Sequence, residues 1–199
     1  MYRFYLAVVD MLPSAMILLP VYWVLNRVCF HHTKKSILYY LFSCYLSVVY
    51  VLVGLPSITY IRPELNLNLL PIIGIIGDWK NSILNILLFV PFGLALPILW
   101  KKYGRLRNAV LFGFCLSLTI ELLQILTYRT TDINDLITNT TGTLTGFLLA
   151  KVLIKHLPKL SAGISEENTY GLKILLTTVL LVMFFIYPFV SSAVWNFIL

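Results

Sequence analysis

The chain has 199 residues, 59% of them hydrophobic and only 12% charged, with a formal net charge of +7 and a mean hydropathy of +0.88. An ordinary soluble domain carries about 25% charged residues, so this composition excludes a water-soluble globular protein and points to an all-α integral membrane protein. The basic residues are spread over short connections rather than gathered on one face, which excludes a nucleic-acid-binding surface.

Several apolar runs approach the roughly 20 residues a helix needs to cross a bilayer. In chain order they predict a polytopic bundle of about six transmembrane helices, over residues 8–30, 37–55, 83–100, 109–128, 136–154 and 172–194, within a single domain covering 1–199. The N-terminus lacks the short apolar core and small-residue cleavage site of a signal peptide, so the first run is expected to remain as a helix. Pro13, Pro20, Pro91, Pro97 and Pro188 fall inside spans. They predict kinks rather than breaks, since neighbouring helices satisfy the backbone groups that proline frees. Trp79 and Trp100 bracket the third span as interfacial aromatics do. Cys29, Cys44 and Cys115 all lie in apolar runs, without metal-ligand or disulfide spacing, and read as packing residues. His31 and His32 adjoin Lys34 and Lys35, which suits the headgroup region rather than a metal site.

Lys and Arg placement gives the orientation. Arg27, Lys34, Lys35, Lys101, Lys102, Arg105, Arg107, Lys151, Lys155, Lys159 and Lys173 fall on one side, against Arg3, Arg62, Lys80 and Arg129 on the other. The richer side is expected to be cytoplasmic, with both termini outside. Two connections differ from the rest. Residues 56–80 are too apolar for a solvated loop and are expected to lie in the outer interface or dip back into the bundle. Residues 155–173, with Pro158, Gly163, Glu166 and Glu167, read as a solvated cytoplasmic loop.

Against this apolar background stands a short polar window. Ser117, Glu121, Gln124 and Tyr128 are spaced i, i+4, i+7 and i+11, one face of the fourth helix. Asp132, Asp135, Asn139, Gly142 and Gly146 form a second face, polar at one end and glycine-lined below, where Gly142 and Gly146 allow close helix approach. Asn81 and Asn85 lie a turn apart at the same end of the third helix. These stripes predict an outward-facing polar cavity built from Asn85, Glu121, Gln124, Arg129, Asp132, Asp135 and Asn139. Ionisable groups near bilayer depth are costly and mark functional sites by default. A packing network, with Arg129 neutralising Asp132 or Asp135 and Asn85 bridging Glu121 and Gln124, is the bland alternative. Three carboxylates facing one arginine leave surplus negative charge, to be met by protonation, a cation or a cationic ligand group. Glu121, Asp132 and Asp135 are the candidates for acid–base catalysis. Asp132 and Asp135 are candidate oxygen ligands for a divalent cation, and Arg129 a clamp for phosphate or carboxylate. No cofactor motif is evident.

The pattern Asn85-x3-Phe89-x-Pro91-Phe92-Gly93, then Ser117-x3-Glu121-x2-Gln124, then Asp132-x2-Asp135-x3-Asn139-x2-Gly142-x3-Gly146 resembles the VanZ-like family, as does Leu67-Asn68-Leu69-Leu70-Pro71-Ile72 upstream, with Ile72 where an aromatic is usual. The resemblance covers a motif core over 66–146. It implies a bacterial inner-membrane protein of a family in which some members lower susceptibility to teicoplanin and lipoglycopeptides, with partners among lipids, lipid-linked envelope precursors or the lipoglycopeptide itself. Three readings follow: a binder at the outer leaflet, an enzyme modifying a lipid-linked envelope substrate, or a flippase or transporter. No two-fold repeat accompanies the polar stripes, and they fade into glycine toward the inside, which suits a cup better than a channel.

Overall fold

The computed structural model describes residues 2–68, 70, 71, 75, 77–157, 165–167 and 169–198. It is helical almost throughout. Helix α1 runs Tyr2–Leu25 and passes into a π-helical turn, Asn26–Phe30; α2 is Thr33–Leu52. Helix α3 is Trp79–Leu99, α4 is Leu106–Gln124 and α5 is Ile133–His156. Helix α6, Tyr170–Leu181, continues through a second π-helical turn, Val182–Ile186, into α7, Tyr187–Ile198. Two short strands, β1 (Leu67–Asn68) and β2 (Thr131–Asp132), pair in parallel.

Five helical stretches are long and apolar enough to cross a membrane: Leu12–Phe30, Thr33–Leu52, Trp79–Leu99, Leu106–Gln124 and Tyr170–Asn196. The protein is thus a multi-pass membrane protein. Helix α5 has 24 residues, more than a crossing requires, but its threonines, amides and Asp135 set it apart in composition. Its hydroxyls are satisfied within the helix: Thr140, Thr141, Thr143 and Thr145 each donate to the carbonyl four residues back, at 2.7–3.1 Å. Pro13 and Pro20 lie inside α1, and Pro91 and Pro97 inside α3, without ending either helix.

The described residues group into two compact units, Met1–Arg62 with Tyr170–Leu199, and Pro63–Thr169. In the first, α1 and α2 pack through hydroxyls as well as apolar side chains. The Tyr22 and Ser43 hydroxyls hydrogen-bond at 2.6 Å, and the Ser36 hydroxyl donates to the Tyr22 carbonyl at 3.3 Å. The second π-helical turn is tied to the loop after α2, where the Ile58 N–H donates to the Phe184 carbonyl at 3.0 Å. Leu18, Tyr39, Leu175 and Met183 are fully buried there.

The second unit is built on the pair α3–α5. A Cβ at Gly93 would meet the Thr143 backbone, and one at Gly146 would overlap the Val90 carbonyl. The two helices therefore approach closely only because these positions carry no side chain. Gly142, on the same stripe, faces the Ile86 carbonyl. Trp100, expected at the interface, is fully buried because the chain folds over it. The Lys101 N–H donates to the Glu166 carbonyl, and the Glu166 N–H to the Leu99 carbonyl, both at 2.8 Å. Lys101 Nζ also lies 2.9 Å from Glu167 Oε1, holding that exposed carboxyl below the ordinary carboxylate range. Residues 158–164 and 168 of the expected solvated loop, Pro158, Lys159 and Gly163 among them, lie outside the described residues, as do Leu69, Ile72 and Gly74 of the earlier connection.

Candidate functional site

Helix α4 supplies the first wall of the polar cluster. Ser117, Glu121 and Gln124 share one buried face, with Glu121 only 3% exposed. The helix ends at Gln124, and the chain reverses through Tyr128, whose φ of 58° is left-handed. Tyr128 therefore leaves the face that periodicity assigned to it and is half-exposed. The reversal is pinned from both sides. The Glu64 N–H donates to the Ile125 carbonyl, and the Thr131 N–H to the Asn66 carbonyl, each at 2.9 Å. The β1–β2 ladder follows, with Leu67 opposite Thr131 and Asn68 opposite Asp132. In its described part, the apolar connection before α3 is thus packed against the polar cluster of its own unit.

Asp132 is the N-cap of α5, in extended conformation, rather than a member of the helix face. One oxygen accepts from the Asn134 N–H at 2.8 Å and from Asn134 Nδ2 at 2.7 Å. The other accepts from Asn68 Nδ2 at 3.0 Å. An aspartate at this position satisfies orphan N–H groups of the first turn and meets the positive end of the helix. Asn134 also donates to the Leu70 carbonyl at 3.0 Å. Asn68 and Asn134 were not among the residues that periodicity selected. For Asn134 the local signal is an Asp two residues before it at a helix start, which reads as ordinary capping, while Asn68 stands in the upstream Leu67–Ile72 motif.

Glu121 joins the two helices. Its Oε2 accepts from the Asp132 N–H at 2.8 Å, and its carbonyl accepts from the Thr131 hydroxyl at 3.0 Å. One turn into α5, the half-buried Asp135 accepts from Asn85 Nδ2 of α3 at 2.7 Å. Asn85 thus partners Asp135 rather than bridging Glu121 and Gln124. Deeper still, Asn139 donates from Nδ2 to the Ser117 hydroxyl at 3.0 Å. Its Oδ1 is buried without a hydrogen-bond partner. Arg129, half-buried, lies within Coulombic range of both Glu121 and Asp135. Asn81 stays outside the cluster, its N–H capped by Asp78 at 3.4 Å.

The structure therefore brings Asn85, Glu121, Asp132, Asp135 and Asn139 into one hydrogen-bonded region spanning α3, α4 and α5, with Gln124 on the same face of α4 and Arg129 within Coulombic range. Acceptors are numerous: three carboxylates and the buried Asn139 amide oxygen belong to the region, and Glu121 and Asp135 sense the Arg129 charge. Both Asp132 oxygens are engaged in capping and in the bond to Asn68. Among the described residues no group of three or more His, Cys, Asp or Glu side chains is placed to hold a metal ion.

A protein-family model described as VanZ/LLP1 matches residues 15–155. A relative in Enterococcus faecium called Protein VanZ is 40% identical over 93 residues, which are 46% of this chain and 56% of that protein. The match thus spans little more than half of that curated relative. No solved structure gives a significant match.

Proposed function

The chain belongs to the VanZ/LLP1 family, and from that premise we propose that it binds a cell-envelope ligand at the outer leaflet of a bacterial cytoplasmic membrane. The ligand is a lipid headgroup, a lipid-linked precursor or a lipoglycopeptide, and the outcome is a contribution to teicoplanin and lipoglycopeptide resistance. The ligand contacts are Asn85, Glu121, Gln124, Arg129, Asp132, Asp135 and Asn139, at the outer end of α3, α4 and α5, in a chain of six spans whose basic loops face the cytoplasm.

The observation that carries this reading is the surplus of acceptors. Beside the three carboxylates, Asn139 keeps a carbonyl oxygen buried and unpaired. A buried acceptor without a donor costs about 1–3 kcal/mol, so an incoming hydroxyl or ammonium gains by reaching it. Such a site favours ligands rich in donors, with a positive charge or many hydroxyls. Arg129 supplies the complementary contact to a phosphate, for which a planar guanidinium is suited.

The test is teicoplanin susceptibility of cells carrying Glu121→Gln or Asp135→Asn, with membrane levels of each variant measured in parallel. Loss of protection at unchanged protein level supports the reading; protection equal to the parent overturns it. A lipid and wall-precursor profile of the same cells separates binding from chemistry. A new covalent product would make Glu121 an acid–base catalyst instead.

A further inference from the structure

Within the Pro63–Thr169 unit, α4 and α5 line an open groove of about 520 Å³ away from the polar cluster. Leu106, Val110, Leu111 and Phe114 line it from α4, and Thr140 and Leu144 from α5. The α4 positions follow helical spacing along one face, and their eight-residue reach corresponds to about 12 Å. This part of the wall is apolar, and the Thr140 hydroxyl is spent on the Leu136 carbonyl at 2.7 Å. Leu106, Leu111 and Phe114 are left partly exposed.

One end of the groove has the opposite character. Arg107 lines it there, and Lys101, Lys102 and Arg105 precede it in the connection from α3. Asn108 holds that connection in place through a 2.8 Å bond to the Lys102 carbonyl. Within this stretch Lys101 pairs with Glu167. Arg105 and Arg107 are exposed.

We propose that this groove seats one acyl chain of an anionic phospholipid, with the phosphate held at Arg107 and Arg105. The occupant follows from the surroundings and the charge. Helix α4 is long and apolar enough to cross a membrane, so a half-open apolar slot along it would meet lipid tails first. Inside a bilayer a tail gains packing contacts rather than escape from water. Chain burial alone therefore selects no lipid, and the basic mouth makes the choice in favour of a negative headgroup.

The test uses the full-length protein purified in a neutral detergent. Thermal unfolding is followed with added phosphatidylglycerol or phosphatidylcholine of identical chains, and native mass spectrometry counts retained lipid. Phosphatidylglycerol is expected to raise the melting temperature more than phosphatidylcholine and to remain bound. Arg107→Gln, which alters an exposed side chain, and Leu111→Trp, which fills the slot from an exposed wall position, should each abolish that difference while melting like the parent in detergent alone. Arg27→Gln, in the other unit, should leave it intact. Equal shifts from the two lipids, or retention in both groove variants, would overturn the proposal. So would loss of the difference in Arg27→Gln, which would mean unspecific charge attraction. Persistence of the difference in Leu111→Trp alone would show headgroup attraction without a seated chain, and also overturns it.

Discussion

The Glu121 carboxylate accepts the backbone N–H of Asp132 at 2.8 Å, so the side chain that the proposed ligand site relies on also fixes the start of the following helix. Charge and geometry separate in substitution. Glu121→Gln keeps an acceptor for that N–H and removes the charge, and its stability should stay within about 1.5 kcal/mol of the parent. Glu121→Ala leaves the N–H without its acceptor and should cost about 1–3 kcal/mol. In susceptibility tests both should lose protection. A Glu121→Gln protein that protects cells as the parent does would remove the carboxylate from the site.

Asn85 and Asp135 offer an exchange experiment. Asn85→Asp sets a second carboxylate against Asp135 across a 2.7 Å contact, and like charges so close are destabilising. Asn85→Asp with Asp135→Asn returns one donor and one acceptor, in swapped positions. The double variant should melt above Asn85→Asp alone, with a coupling of about 0.5–3 kcal/mol. Additive losses would show that the two side chains do not sense each other.

The α3–α5 contact predicts a contrast among glycines. Gly93→Ala and Gly146→Ala each drive a methyl into the partner helix's backbone, and overpacking of this kind costs about 1–3 kcal/mol. Gly104→Ala, with no atom within 4 Å of the added carbon, should stay within about 0.5 kcal/mol of the parent. Thermal melts of the three proteins in one detergent check the ranking.

That contact was legible in advance and the caps were not, for a physical reason. Apolar runs near 20 residues and the four-residue spacing of Gly142 and Gly146 are periodic signals, carried by many residues at once. Such signals reach Ser117, Glu121, Gln124 and Asn139, all of which are buried. The turn after Gln124 is a local event set by one left-handed residue and by pairing across 64 positions between Asn68 and Asp132. Periodicity carries no information about either. It extended the α4 face to Tyr128 and put Asp132 on a helix that it caps instead. Asn134 escaped for the same reason, since its partners are a cap and the carbonyl of Leu70.

Orientation rests on the basic residues and is tested directly by labelling. In a protein with Cys29, Cys44 and Cys115 changed to Ser, a cysteine at position 64 should react with an impermeant maleimide on intact cells. One at position 102 should react only after permeabilisation. Labelling of position 102 from outside would reverse the topology and place the polar cluster toward the cytoplasm.

The partners of the third and fourth helices lie downstream of them: Asn85 waits for Asp135, Ser117 for Asn139 and Glu121 for Asp132. A ribosome delivers these segments in order, so α3 and α4 reach the insertion machinery with their amide, hydroxyl and carboxylate still seeking company. Polar groups raise the cost of integrating a segment on its own. The fifth helix, the most polar of the three, arrives last and supplies those partners. The hydrogen bonds thus tie the settling of α3 and α4 to the arrival of α5, the last of the three to be made.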